Sequence, residues 1–144
     1  RADRKFAVLF ADVDNFHDIN NTYGHQVGDE VLRSFGKALV RHGRKSDDFC
    51  RWGGDEFVGL LQLKDDDEIK GAARRFSGIA ETSSIKDGEK TIDCRVSIGI
   101  TVVRDGDDLS SLVDRADRYM FEAKRRKGEG IVTDFDAPSH CEDK

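Results

Sequence analysis

Proline, cysteine and long apolar runs are all scarce in this chain of 144 residues, and each scarcity narrows what it can be. The single proline, Pro138, lies near the end, so no proline-rich linker divides residues 1–135, and no internal repeat or low-complexity tract occurs there. The three cysteines, Cys50, Cys94 and Cys141, form an odd set without a C-x-x-C spacing. That pattern indicates neither a disulfide framework nor a zinc site and fits a reducing, cytoplasmic compartment. The longest apolar run is Phe6 to Ala11, far short of the roughly 20 residues a membrane-spanning helix needs, and no charged-then-apolar signal segment precedes it. A soluble chain without membrane contact is expected. Positive charge is also in short supply, 24 Lys and Arg against 29 Asp and Glu, for a formal net charge of -5. A sequence-independent grip on nucleic acid is therefore not expected, and any anionic ligand must be met by locally concentrated cations or by metal ions.

What remains is enough for one domain: the length suits a single core, and 37% of residues are hydrophobic. Phe6 to Ala11 is continuously apolar and ends at Asp12, the pattern of a central strand covered on both faces. A short helix is expected over Phe16 to Tyr23. Gly24 and Gly28 bracket a turn, and Val27, Val31, Phe35, Ala38 and Leu39 then recur at helical spacing to about Val40. Asp48 to Trp52 and Glu56 to Leu61 read as strands joined by Gly53 and Gly54, a pair suited to a primed hairpin turn with positive φ. Asp66 to about Thr82 reads as an amphipathic helix and Thr91 to Val103 as one alternating strand. Leu109 to Ala123 carries a helical stripe, and Ile131 to Phe135 reads as a last strand. The order βααββαβαβ implies an α+β fold with helices packed on a mixed or antiparallel sheet. From Asp136 onward the chain is polar and aperiodic, so residues 136–144 read as a tail.

Two segments carry candidate chemistry. Asp12 and Asp14 lie two apart where the apolar strand runs out, so both carboxylates can face one spot and offer hard oxygens to Mg²⁺. The alternative is a strand end followed by a helix cap at Asp14. The second segment, Gly53 to Phe57, places Asp55 and Glu56 just past a tight turn. In a regular strand these point to opposite faces, so one of them lines a given pocket. Carboxylates from two neighbouring strands are what a two-metal phosphoryl-transfer site needs, whereas the alternative is a surface hairpin with solubilising charges.

The string Arg51-Trp52-Gly53-Gly54-Asp55-Glu56-Phe57, with Asp12-Val13-Asp14-Asn15-Phe16 and Ile19 to Asp29 before it, resembles the GGDEF family of diguanylate cyclases. Val96 to Ile100, Ala116-Asp117 and Tyr119 to Lys124 are further matches in the family's order, and the likeness spans Phe6 to Val132. The resemblance implies a GGDEF domain over residues 1–135, with a nucleotidyl-cyclase or polymerase-palm-like sheet, a ferredoxin-like βααββαβ core, flanked by helices. It also implies condensation of two GTP into cyclic di-GMP and two pyrophosphates, one half-site per protomer of a homodimer, with two Mg²⁺ or Mn²⁺ ions per half-site. On that likeness Asp12, Glu56 and the Val13 carbonyl hold metal, Glu56 is also the candidate base for the ribose 3′-hydroxyl, and Asp55 is a second acid. Asn20 and Asp29 match the guanine readers, with Phe16 and His25 on the substrate side. An aspartate accepts from guanine N1 and its exocyclic amine, and an asparagine amide donates to its carbonyl. Adenine reverses that pattern. Taken without the likeness, Asp29 is a first-turn helix carboxylate and Asn20 a turn-forming amide.

Lys124 follows the apolar stripe four residues after Met120, so its ammonium can snorkel toward a pocket. The family uses the lysine at this place on a triphosphate, and Lys127 is a further candidate there. Taken alone, Lys124 to Lys127 are cations at a helix C-terminus. Arg44 and Asp47 fit the family's R-x-x-D product-inhibition motif in register with Gly53, where an arginine can fork onto guanine or phosphate oxygens.

Three departures stand out. His17 occupies a position where the family usually has a lysine, and a histidine near its reference pKa of about 6.5 is mostly neutral at pH 7. After Lys124 the chain reads Arg125-Arg126-Lys127-Gly128-Glu129-Gly130 rather than x-x-G-R-N, so the second phosphate cation is displaced, with Arg126 or Lys127 as substitutes. The stretch that the family carries ahead of its first strand is not among these residues, nor is a sensor domain, so a covalently attached regulatory domain in a parent protein is expected. The altered positions leave open a catalytically impaired module that binds GTP or cyclic di-GMP, and a hybrid cyclase that also accepts ATP.

Overall fold

A computed structural model describes residues 5–126 and 130–136. The continuous apolar run becomes β1 (Lys5–Val13), buried without interruption from Ala7 to Val13. It is followed by α1 (Phe16–Tyr23), α2 (His25–His42), β2 (Asp48–Gly53) and β3 (Glu56–Leu63). Then come α3 (Ile69–Glu81), β4 (Ile85–Asp87), β5 (Lys90–Ile92), β6 (Val96–Val102), α4 (Leu109–Arg125) and β7 (Ile131–Val132). The main sheet has the order β2-β3-β1-β6-β7. β1 lies antiparallel to both β3 and β6, and β7 runs parallel to β6, so the sheet is mixed. The α+β palm-like expectation holds.

Alternation along β1 sorts its side chains onto two faces. Ala7, Leu9, Ala11 and Val13 join the large core under α2 and α3, centred on Phe35, Phe57 and Phe76. Val8 and Phe10 face α4 with Ala116 and Met120. α4 lies close over β6 because Gly99 has no side chain: a Cβ there would run into the Ala116 carbonyl and the Met120 amide. A partly buried polar network fixes the start of α4. Asp107 holds Arg115, which also donates to Thr101, and Asp134 accepts from Thr101, Arg104 and Tyr119. Asp108 caps α4 through a reciprocal pairing with Ser111.

Several boundaries differ from the sequence reading. Gly28 is a buried residue of α2 rather than part of a turn; only Gly24, at φ 98°, supplies the break between α1 and α2. Of the hairpin glycines, Gly54 alone has positive φ, 52°, and a register shift between Arg51 and Gly53 bulges the strand at Trp52. The expected strand over Thr91 to Val103 is two strands. β5 turns back to pair with β4, and β6 is buried at all seven positions rather than alternating, because it is central and covered on both faces. The polar residues that suggested alternation are satisfied internally, Ser97 by Asp14 and Thr101 by Asp134. The third helix opens as a short 3-10 turn over Asp66–Glu68, capped by Asp65. β7 stops at Val132 because the Asp134 carboxylate, not a further strand residue, takes the Val102 amide. Asp136, expected to begin the tail, is tied to Thr133 and Lys70, and residues 137–144 lie outside the described residues.

α4 packs against β1, β6 and β7. Away from it, Phe6, Trp52 and Leu60 are 40%, 50% and 43% exposed, with Trp52 edge-on to Phe10. Among the described residues no helix is long and apolar enough to cross a membrane.

The tight seam at Gly99 makes a direct prediction. Gly99→Ala, which forces α4 outward, costs about 1–3 kcal/mol of unfolding free energy in denaturant titration. Gly78→Ala in α3, with no atom within 4 Å of the added carbon, gains roughly 0.5–1 kcal/mol.

Candidate active site

The register of the sheet builds the acidic cluster. Asp12 lies directly opposite Glu56 on β3 and Ser97 on β6, and residues opposite each other across antiparallel strands project from the same face. Both carboxylates therefore emerge on the face covered by α4. Asp55 belongs to the turn rather than to β3, so strand alternation does not turn it away. Its carbonyl accepts from the Val13 amide at 3.1 Å and its carboxyl adjoins that of Asp12. Both hairpin acids thus reach one cluster, where a regular strand would have separated them. Lys124, at the last turn of α4, closes the cluster with its ammonium 2.5 Å from Asp12 Oδ2.

Asp12 is an unusually placed carboxylate: its side chain is only 9% exposed, and Oδ1 is buried without a hydrogen-bond partner. Burial pushes its pKa up to about 7, with the Asp55 carboxyl adding to the rise and Lys124 opposing it. Burial also raises Glu56, followed by the charges of Asp55 and Asp117. Burial alone would lower Lys124, but its bond to Asp12 and the charges of Asp55 and Asp14 raise it overall. Asp14, one of whose readings is a cap on α1, does not cap it. It accepts from Ser97 Oγ at 2.6 Å, and the residue before α1 is Asn15, in the left-handed region at φ 59° with no side-chain cap.

The residues fit a divalent cation. A bare, buried carboxylate oxygen beside two further acids lacks the positive charge that would stabilise it, and Lys124 supplies one from one side only. Among the described residues no three His, Cys, Asp or Glu side chains form a preformed cage. The pair Asp12 and Glu56 matches the few carboxylates that Mg²⁺ takes while keeping positions for water and phosphate oxygens.

Of the expected base readers, Asn20 lies at the α1–α2 seam. Asn20 is half-buried, and its Oδ1 is buried without a partner. A Cβ at Gly28 would collide with that oxygen and lie 3.2 Å from Phe16 Cζ. Sequence reading took Gly28 for a turn residue; its packing against Asn20 shows only in the structure. Asp29 follows it, exposed. His17 and His25 are both exposed, and Phe16 is half-buried against the core.

At the other end of α2, Arg44 and Asp47 share one turn, in which the Arg44 backbone amide donates to Asp47 Oδ2. The structure adds Arg75 from α3, whose Nη2 lies 2.6 Å from the same oxygen, while Asp47 Oδ1 is buried without a partner. Nothing in the sequence ties Arg75 to Asp47, because it sits on an amphipathic helix 28 positions away. A groove of about 870 Å³ between α2 and β2 is lined by Asp29 at one end and by Arg44 and Asp47 at the other. A smaller, polar cavity of about 420 Å³ is lined by Asn15, Arg95, Lys124 and Arg126. Arg126, a proposed substitute cation, is engaged with Glu122 and the Asp136 carbonyl. Lys127 lies outside the described residues.

Asp12 yields a prediction with a definite sign. Its folded pKa lies above the unfolded value, so between about pH 4 and pH 7 the folded state holds more protons and stability falls as pH rises. In metal-free buffer at pH 8, Asp12→Asn melts at or above the wild type. Added Mg²⁺ or Mn²⁺ raises the melting temperature of the wild type but not of the variant, by the usual binding linkage.

Comparison with known proteins identifies the family. The family model described as "Diguanylate cyclase, GGDEF domain" matches residues 1–130. The diguanylate cyclase DosC of Escherichia coli strain K12 is 37% identical over 128 residues, 88% of this chain and 28% of its own length. The chain therefore spans little more than a quarter of that relative. Among solved structures, diguanylate cyclase SiaD of Pseudomonas aeruginosa, in complex with its activator SiaC, superposes with a TM-score of 0.82 at 32% identity, over 90% of this chain and 50% of that one. A microbial GGDEF domain described in a novel interaction mode with cyclic di-GMP gives a TM-score of 0.75 at 30% identity, over 93% of this chain and 82% of its own. With Asp12 facing Glu56 beneath the Lys124 ammonium, and with these matches along nearly its whole length, the chain belongs to the GGDEF domain family.

Proposed function

We propose that this domain condenses two GTP molecules into cyclic di-GMP, releasing two pyrophosphates, with each protomer supplying half of the catalytic arrangement. The observation that carries the reading is the register pairing of Asp12 with Glu56, capped by Lys124 and joined by Asp55. Divalent ions held by Asp12, Glu56 and the Val13 carbonyl would supply charge neutralisation at the phosphates and lower the pKa of the attacking hydroxyl. The chain's own groups do the rest. Asn20 and Asp29 orient guanine, and Gly28 leaves the space in which the Asn20 amide turns toward it. Glu56, its carboxyl raised by burial, accepts the proton of the 3′-hydroxyl. Lys124, bonded to Asp12 in the last turn of α4, is the chain's own cation placed to meet the triphosphate. Pairing of two protomers brings each 3′-hydroxyl to the other's α-phosphate, so most of the rate comes from positioning and electrostatics. Cyclic di-GMP bound on Arg44, Asp47 and Arg75 would give product feedback; the unpartnered Asp47 Oδ1 offers the acceptor that a guanine edge needs.

A second reading is favoured by His17: without a fixed positive charge there, the module binds nucleotide and turns it over poorly. The two readings separate in one assay. The dimerised protein, incubated with GTP and Mg²⁺ or Mn²⁺, is expected to form cyclic di-GMP detectable by mass, with ATP giving none. Glu56→Gln lowers the rate by about 10²-fold or more, and His17→Lys raises it. Absence of product where GTP binding is measurable selects the binding-module reading.

A further inference from the structure

The polar cavity of about 420 Å³ lies where α4 ends, and Lys124 joins it to the acidic cluster. The Lys124 ammonium bonds to Asp12 Oδ2, and the same side chain lines the cavity. The sheet supplies a second cation. The β1–β6 ladder runs one step beyond Val13 and Val96, because the Asp14 amide donates to the Arg95 carbonyl at 2.7 Å. Cys94 and Val96, on either side of Arg95, are buried in the core under α2 and α3. In an extended chain the Arg95 side chain therefore leaves on the other face, the one that carries Asp12 and Glu56. There it lines the cavity with Asn15, Ser97 and Lys124.

Charge decides what this cavity takes. Of the described cations on its lining, Lys124 is paired with Asp12 and Arg126 with Glu122. Arg95 is exposed and enters no ion pair among the described residues. Asp14, the acid directly across the ladder from it, is taken by Ser97 Oγ instead. Glu81, at the end of α3, is the other acid on the lining and is exposed. Asn15 precedes α1 without a side-chain cap, so the first amides of that helix still need acceptors beside the cavity. A free guanidinium, a lysine ammonium and open helix amides together suit phosphate oxygens. We infer that Arg95 holds the terminal phosphates of the nucleotide in this cavity, with Lys124 standing between them and the acids Asp12 and Glu56. The inference rests on the cyclase reading for the identity of the nucleotide, and it adds the residue that grips the part leaving as pyrophosphate.

Calorimetric titration of the full chain in Mg²⁺ with a non-hydrolysable GTP analogue, GMP and inorganic pyrophosphate tests it. Arg95→Ala is expected to weaken the analogue and pyrophosphate about tenfold or more. Its affinity for GMP, which lacks the terminal phosphates, stays unchanged, and so does its melting temperature, because Arg95 is exposed. Arg95→Lys keeps the positive charge without the guanidinium fork and recovers part of the loss. Wild-type affinity of Arg95→Ala for the analogue overturns the inference while leaving the cyclase reading intact. An equal loss for the analogue and GMP marks a purely structural role and overturns it as well. Pyrophosphate that binds through Arg95 in a wild type that takes no GTP analogue upholds the phosphate site and overturns the cyclase reading. Failure of both the analogue and pyrophosphate to bind overturns both.

Discussion

A carboxylate buried at the end of a central strand is an expensive thing to fold around, and Asp12 is such a carboxylate. β1 is hydrogen-bonded on both edges, so Asp12 cannot swing clear of the sheet, and burial holds its proton to about pH 7. The surrounding structure is arranged about that charge. β3 is registered to bring Glu56 opposite, the hairpin turn adds Asp55, and α4 ends where Lys124 reaches back. Lys124 is in place only because α4 seats flat on Gly99, and because the Asp107, Arg115 and Asp134 network pins the start of that helix. Local instability of this kind is what a site for cations is expected to carry in its empty form.

The α1–α2 seam depends on a different constraint, the absence of a side chain. Asn20 and Gly28 come from successive helices packed so closely that one carbon on Gly28 would strike the Asn20 amide. An unpartnered amide oxygen at the seam is costly to bury.

Much of this was legible beforehand, for physical reasons. β1 announced itself because a strand buried on both faces must be continuously apolar, and α2 and α4 because amphipathic stripes have a helical period. The acids and Lys124 were legible from the family likeness. What escaped reading depended on contacts across the fold. Arg75 lies on a helix whose charges look solvated, and Gly28 looks like a turn residue until its neighbour is known. Strand alternation alone separates Asp55 from Glu56, although the family likeness already made Asp55 a second acid; it reaches Asp12 because it belongs to the turn. β6 was misread because its Ser97 and Thr101 hydroxyls find buried acceptors that no local pattern shows.

β2 is the outermost strand of the sheet, and beside it Phe6, Trp52 and Leu60 lie partly open. Its unpaired backbone edge invites a strand from another copy, and association by that route joins sheets side by side. The proposed catalysis needs instead that two nucleotide sites oppose each other. Mass measurements that report a dimer are therefore silent about which of these two geometries has formed, and only a readout sensitive to orientation, such as crosslinking between hairpins, distinguishes a productive pair from an aggregate seed.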